Sequence, residues 1–144
     1  MSAHQHDVQL ILHLYELRRD PEMRAARQWY VSEFNPQSAA DIARLMISGQ
    51  QQSAYYRMVV SYWDMAASFV NNGGIDEKTF LDANTEHMVI FARIEPFLTE
   101  LRGLFGEPDY LAHLEQLIHR IPGHAAILEN RRKLLAKWTR LKAE

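Results

Sequence analysis

The sequence predicts an all-α fold, a single domain over residues 1–144 arranged as a bundle of about six to seven helices around a central apolar helix at about Ser53–Asn71. Three observations predict it. Apolar residues recur at steps of three and four in one segment after another. Helix-stopping and helix-starting pairs, Asp20-Pro21, Asn35-Pro36, Gly73-Gly74 and Pro122-Gly123, punctuate the chain at helix-length intervals. Alternating apolar and polar runs bounded by turn dipeptides, the mark of strands, are missing. With 47% hydrophobic residues in 144, the chain can bury a substantial core without disulfides or metals.

The first helix is read from Val8, Ile11, Leu12 and Tyr15, which share one face, with Gln9, His13, Glu16 and Asp20 on the other. It stops at Asp20-Pro21, where Asp20 is an N-cap and Pro21 suits the first position of a second helix reaching about Phe34. Ser38 with Asp41 three residues on resembles a capping box, opening a third helix up to Gly49. The central helix follows and ends at Asn71-Asn72-Gly73-Gly74. Asp76 restarts the chain, with Ile75 and Phe80 at hydrophobic-staple positions, and a fifth helix is expected from about Glu77 to Ile94. Pro96 kinks or breaks that run; further helices are expected after Phe97, around Asp109 to Arg120, and from about His124 to Lys142.

The central helix carries one polar line. Ser53, Arg57, Ser61, Asp64 and Ser68 follow one another at steps of four, four, three and four, while Tyr55, Tyr56, Tyr62, Trp63 and Phe69 are expected in or near the core. That is the pattern of a helix enclosed by neighbours with a single seam. The seam is either a solvent-facing strip or a polar network in which Asp64 accepts from Arg18, Arg19 or Arg93 of another helix, fixing register rather than catalysing.

Chemistry-bearing motifs are sparse. Zero cysteines exclude a disulfide framework, a thiolate metal site and a cysteine nucleophile, and suit a reducing cytoplasm. Seven histidines form no pair with metal-ligand spacing. His87 is expected in the core, hydrogen-bonded through one ring nitrogen, and His4 and His6 in a frayed terminus. Aligned as a calcium loop on Gly73, the ligand positions fall on Ser68, Val70 and Thr79, which lack carboxylates. The serines read as caps, termini or helix positions, and no glycine-rich phosphate cradle occurs. No metal and no cofactor is expected, and an enzyme is not the expectation.

Charge is unevenly distributed: residues from Arg120 onward carry +5 and residues 1–119 carry −7. The last helix combines Ile127, Leu128, Leu134, Leu135, Trp138 and Leu141 with Arg131, Arg132, Lys133, Lys137, Arg140 and Lys142, so it is basic and amphipathic. Its apolar stripe either docks on the bundle or meets a partner. A helix-turn-helix through Gly73-Gly74 is disfavoured, because the helix after it opens with Asp76 and Glu77 and carries Asp82 and Glu86. The N-terminal residues have neither a cationic segment nor a run long enough to span a bilayer, so no transmembrane segment is expected and the compartment is read as cytoplasmic.

Tyr62-Trp63-Asp64-Met65-Ala66-Ala67, then Gly73-Gly74-Ile75-Asp76 with Phe80, then Ile94-Glu95-Pro96-Phe97-Leu98, together with Leu14-Tyr15-Glu16-Leu17-Arg18-Arg19, resemble a bacterial family of small helical proteins, domain of unknown function 4760. The resemblance covers most of the chain and implies a helical bacterial protein without an assigned activity. Some members carry an apolar membrane segment near the N-terminus, from which this chain departs.

The functional expectation is a non-enzymatic helical interaction or regulatory module that binds a protein partner or self-associates. The alternative is nonspecific nucleic-acid binding through Arg131, Arg132, Lys133, Lys137, Trp138 and Arg140. A third reading is a small-ligand binder or enzyme at the seam residues Arg57, Ser61, Asp64 and Ser68.

Overall fold

The local rules that start and stop helices act at nearly every junction of the computed structural model, which describes residues 3–143. α1 (Ala3–Arg18) gives way to α2 (Pro21–Ser32), whose first turn is capped by Asp20 Oδ2 accepting from the N–H groups of Glu22 and Met23. Ser38 Oγ accepts from Asp41 N at the start of α3 (Ala39–Ile47). Gly73, at φ +81°, ends α4 (Gln51–Asn71), and a Cβ on Gly74 would stand 3.2 Å from the carbonyl oxygen of Phe69. Asp76 caps α5 (Glu77–Ala83) through Thr79 N, and the staple residues Ile75 and Phe80 are both buried.

The expected fifth helix is in fact two. Asn84 takes an extended conformation, donates from its side chain to the carbonyl of Phe80 and accepts from Arg18, so the chain breaks there and resumes as α6 (Glu86–Ile94). Asn and Thr are poor helix formers whose side chains compete for backbone partners, which is the physical reason for the break at Asn84-Thr85. Pro96 sits in a 3-10 turn, Glu95–Phe97, that leads into α7 (Leu98–Phe105). α8 (Ala112–His119) and α9 (His124–Ala143) complete nine α-helices among the described residues, with no strand. No helix among those residues is long and apolar enough to cross a membrane.

α4 is the axis of the bundle. Nine of its residues are buried, and α2, α3, α5, α6 and α8 all pack on it. α9 lies across α2 and α6, and α3 packs on α7. Buried tyrosines tie the layers together: Tyr30 donates to the carbonyl of Ile90 at 2.6 Å, Tyr62 to that of Leu14 at 2.6 Å, and the hydroxyls of Tyr56 and Tyr110 meet at 2.7 Å. Burial raises the pKa of all four phenols, that of Tyr62 to about 12, so they stay neutral and serve as hydrogen-bonding pegs.

Two expectations about burial change. Phe69 is 44% exposed and lies outside the core, because it sits on the last turn of α4, where the neighbours thin out. α1 turns in a different face from the one expected: Leu14 is buried and Ile11 partly so, whereas Val8, Leu12 and Tyr15 are exposed, as are Leu10 and Leu17. Apolar residues extend around more than one side of the helix, so helical spacing alone could not say which strip would dock. His6 lies within α1 rather than in a frayed end; the side chain of His4 falls outside the described residues.

Candidate functional site

The polar seam of α4 is drawn by helical geometry, but its members meet different surroundings. Ser53 is buried and its hydroxyl donates to the carbonyl of Met46, joining α4 to the end of α3. Arg57 and Ser61 are exposed, and Arg57 has no ion pair among the described residues. Ser61 and Ser68 donate back to the carbonyls of Arg57 and Met65 on their own helix. Neither hydroxyl is aimed at a base, so neither is set up as a nucleophile.

Asp64 accepts from the backbone N–H of Leu114 at 2.9 Å. It does not take an arginine partner. α8 begins after Leu111, a residue in the left-handed region at φ +56° that offers no side-chain cap, so its free N–H groups need an acceptor from elsewhere. Asp64 supplies one from a helix fifty residues upstream, and its negative charge sits at the positive end of α8. Asn71, at the far end of the seam, donates to the carbonyl of His113 and accepts from Arg120 at 2.6 Å. Arg120 also pairs with Glu77 at 2.7 Å. The lower half of the seam therefore holds α8 in register.

The upper half opens on a groove of about 640 Å³ between α4 and the segment joining α7 to α8. Arg57, Asp64, Glu107, Asp109 and His113 bring charge and a titratable ring to it, while Met46, Val60 and Met65 make an apolar floor. The far wall comes from residues 107–113, remote in sequence from the seam, and nothing local joins the two. No group of three or more His, Asp or Glu among the described residues is placed to hold a metal ion. Chemically the groove offers hydrogen bonds and one unpaired guanidinium, without a nucleophile and base in contact.

His87 is buried between Trp63 and Phe80, with ring centroids 5.8 and 5.7 Å away. The expected hydrogen bond through one ring nitrogen is absent: both nitrogens lack a partner, as does Trp63 Nε1. Burial, and behind it the charge of Arg131, pushes the imidazole down to about 4, so it is neutral at pH 7.

α9 divides along its length. Leu128 and Leu135 are fully buried against the bundle, whereas Trp138 and Leu141, farther along, are exposed. Its cations divide too. Arg132 pairs with Glu95 at 3.3 Å and Glu129 at 3.2 Å, and Arg131 is partly buried beside His87. Lys133, Lys137 and Arg140 are exposed and form no ion pair among the described residues. The six residues marked by sequence thus do not act as one surface.

Exposed apolar side chains missed by sequence reasoning flank the docked face of α1, Val8, Leu12 and Tyr15 on one side and Leu10 and Leu17 on the other. Val8, Leu10, Leu12, Tyr15 and Leu17 are each more than a third exposed, on a helix attached to α2 and α5 through Ile11, Leu14 and Arg18. The available signal was the spread of apolar residues over more of the helix than one docked face can bury.

Among curated proteins and solved structures, nothing matches the chain. The family model described as Domain of unknown function (DUF4760) matches residues 3–121, from α1 to the end of α8, with α9 lying beyond it. The chain belongs to that family.

Proposed function

We propose that this domain is a non-enzymatic helical interaction module, cytoplasmic, which pairs with a second copy of itself through the flank of α1 that carries Val8, Leu12 and Tyr15. The observation that carries the reading is the exposure of these three apolar side chains along one stripe, at 46%, 56% and 51%. Exposed apolar stripes mark interaction surfaces, and covering the exposed half of one such side chain contributes about 1 kcal/mol. Val8, Leu12 and Tyr15 lie four and three residues apart, nearly symmetric about Leu12. Two such stripes run antiparallel on a two-fold axis set Leu12 against Leu12 and Val8 against Tyr15, the self-complementary arrangement that a closed dimer requires.

Size-exclusion chromatography with light scattering tests this across a concentration series. A dimer at high micromolar concentration, converted to a monomer by Leu12→Glu with unchanged helical circular dichroism, is the expected result. A wild-type monomer throughout that range overturns it. The nucleic-acid reading has less support, because Arg132 is committed to two carboxylates and Arg131 is turned inward. A gel shift at low salt with duplex and single-stranded probes, lost on Lys137→Glu with Arg140→Glu, would reinstate it.

A further inference from the structure

Where α1 passes into α2, four arginines converge. Arg18, Arg19, Arg24 and Arg27, with Tyr15, line a cavity of about 530 Å³. Arg18 and Arg27 form its fixed part. Glu86 of α6 stands behind them, 3.3 Å from Arg18 NH2 and 2.9 Å from Arg27 Nε. The Arg18 guanidinium also lies over the Trp63 ring, 5.1 Å from its centroid, and Arg27 NH1 donates to the carbonyl of Arg18. Both side chains are mostly covered, so they are held rather than free to swing. Arg18 Nε is buried and has no acceptor.

Arg19 and Arg24 are exposed and form no ion pair among the described residues. The carboxylates nearest in sequence do not neutralise them. Asp20 is engaged in capping α2, and neither Glu16 nor Glu22 lines the cavity or pairs with an arginine. Four arginines thus line the cavity, and the one carboxylate in ion-pair contact with them is Glu86. Gathering like charges into one cleft is unfavourable unless a counter-charge enters it, and folding alone gives no reason to place Arg19 and Arg24 beside the anchored pair.

We infer that this cleft is a binding site for a small phosphorylated ligand, its phosphate or diphosphate group held by Arg18, Arg19, Arg24 and Arg27. A phosphate brings close to two negative charges and three acceptor oxygens, which suits the planar forks of several guanidinium groups. The volume is that of a small-molecule site rather than of a surface tracking a polymer backbone. Tyr15, half-exposed on the wall, offers a ring against which the rest of the ligand can lie. The site is separate from the pairing of α1 in all but Tyr15, and neither proposal requires the other.

Isothermal titration of the full chain with inorganic phosphate, pyrophosphate and a nucleoside triphosphate, at low salt, tests the proposal. Pyrophosphate or the triphosphate is expected to bind with one site per chain and to weaken as salt rises. Arg19→Ala with Arg24→Ala should weaken binding by roughly tenfold or more, because these exposed side chains supply two charge-assisted contacts without supporting the fold. Lys137→Ala with Arg140→Ala, equal in charge but distant on α9, should leave binding unchanged. Failure of all three probes to bind at millimolar concentration overturns the proposal, as does equal loss in both double variants. Citrate binding as tightly as pyrophosphate overturns the phosphate class, and a longer single-stranded oligonucleotide binding far more tightly than the triphosphate overturns the small-ligand reading. Because Leu12→Glu leaves the arginines intact, titrating it separates a failed phosphate site from a failed dimer.

Discussion

α1 and α4 are both apolar helices, yet among the described side chains α1 buries one, Leu14, and α4 buries nine. The difference lies in where the neighbours are. α4 has five helices around it, so most of its apolar residues have something to touch, and only Met65 and Phe69 among its large apolar side chains stand exposed. α1 sits at the edge of the bundle against α2 and α5, and its remaining apolar surface faces outward. Apolar content thus reports on core packing in one helix, and on the proposed pairing surface in the other.

The contrast can be broken most forcefully in α4. Trp63→Ala removes a fully buried ring that packs on Tyr62 and His87 and beneath Arg18, and is expected to cost about 3–5 kcal/mol in urea unfolding. A loss below about 1 kcal/mol would mean the core around α4 is loosely packed.

The next largest effect is one of pH. His87, packed on Trp63, has its pKa lowered to about 4 in the fold, against an ordinary 6.5. The unfolded chain therefore binds a proton that the native one refuses. This contribution to stability is complete above pH 6.5 and is lost as pH falls toward 4, by up to about 3 kcal/mol. Denaturant titrations of wild type and His87→Leu at pH 7 and pH 4.5 isolate it, since other groups titrate in both proteins. The leucine variant should show the smaller loss and, relieved of two unpaired ring nitrogens, be about 1 kcal/mol more stable at pH 7.

On the seam, Asp64→Ala leaves Leu114 N without its acceptor and is expected to lower stability by about 1–2 kcal/mol, with Asp64→Asn recovering part of it because the amide oxygen can still accept. Equal losses in both variants would mean that charge, rather than the hydrogen bond, is what α8 needs. Smallest of all is Leu12→Glu on α1, expected to change unfolding free energy by less than about 0.5 kcal/mol while abolishing self-association. A large destabilisation there would place Leu12 in the fold of the single chain and dissolve the contrast with α4.

What the sequence made legible follows the range of the interaction. The caps at Asp20, Ser38 and Asp76, the staple of Ile75 and Phe80, the Gly73 stop and the break at Pro96 each rest on residues within a turn of one another, and each was readable. The alignment of Ser53, Arg57, Ser61, Asp64 and Ser68 was equally local. The partners of that line were not, because Leu114 and the groove wall at Glu107–His113 arrive through the packing of α8 on α4. Asn84 misled for a related reason: its commitment to Arg18 of α1 helps to end α5, and that arginine lies 66 residues away. The arginine cleft escaped notice because Arg24 and Arg27 look, in sequence, like the ordinary wet face of an amphipathic helix.

The hydrogen bond from Leu114 to Asp64 also bears on the order in which the molecule assembles. An eight-residue helix without a cap of its own gains too little from its backbone to persist alone. Before α4 is in place, α8 has neither its acceptor nor the apolar wall for Leu114, Leu117 and Ile118, so its formation waits on a contact between segments about fifty residues apart. Hydrogen-exchange labelling during refolding would find α4 protected first and α8 later, the short helix acting as a reporter of when the long one has docked.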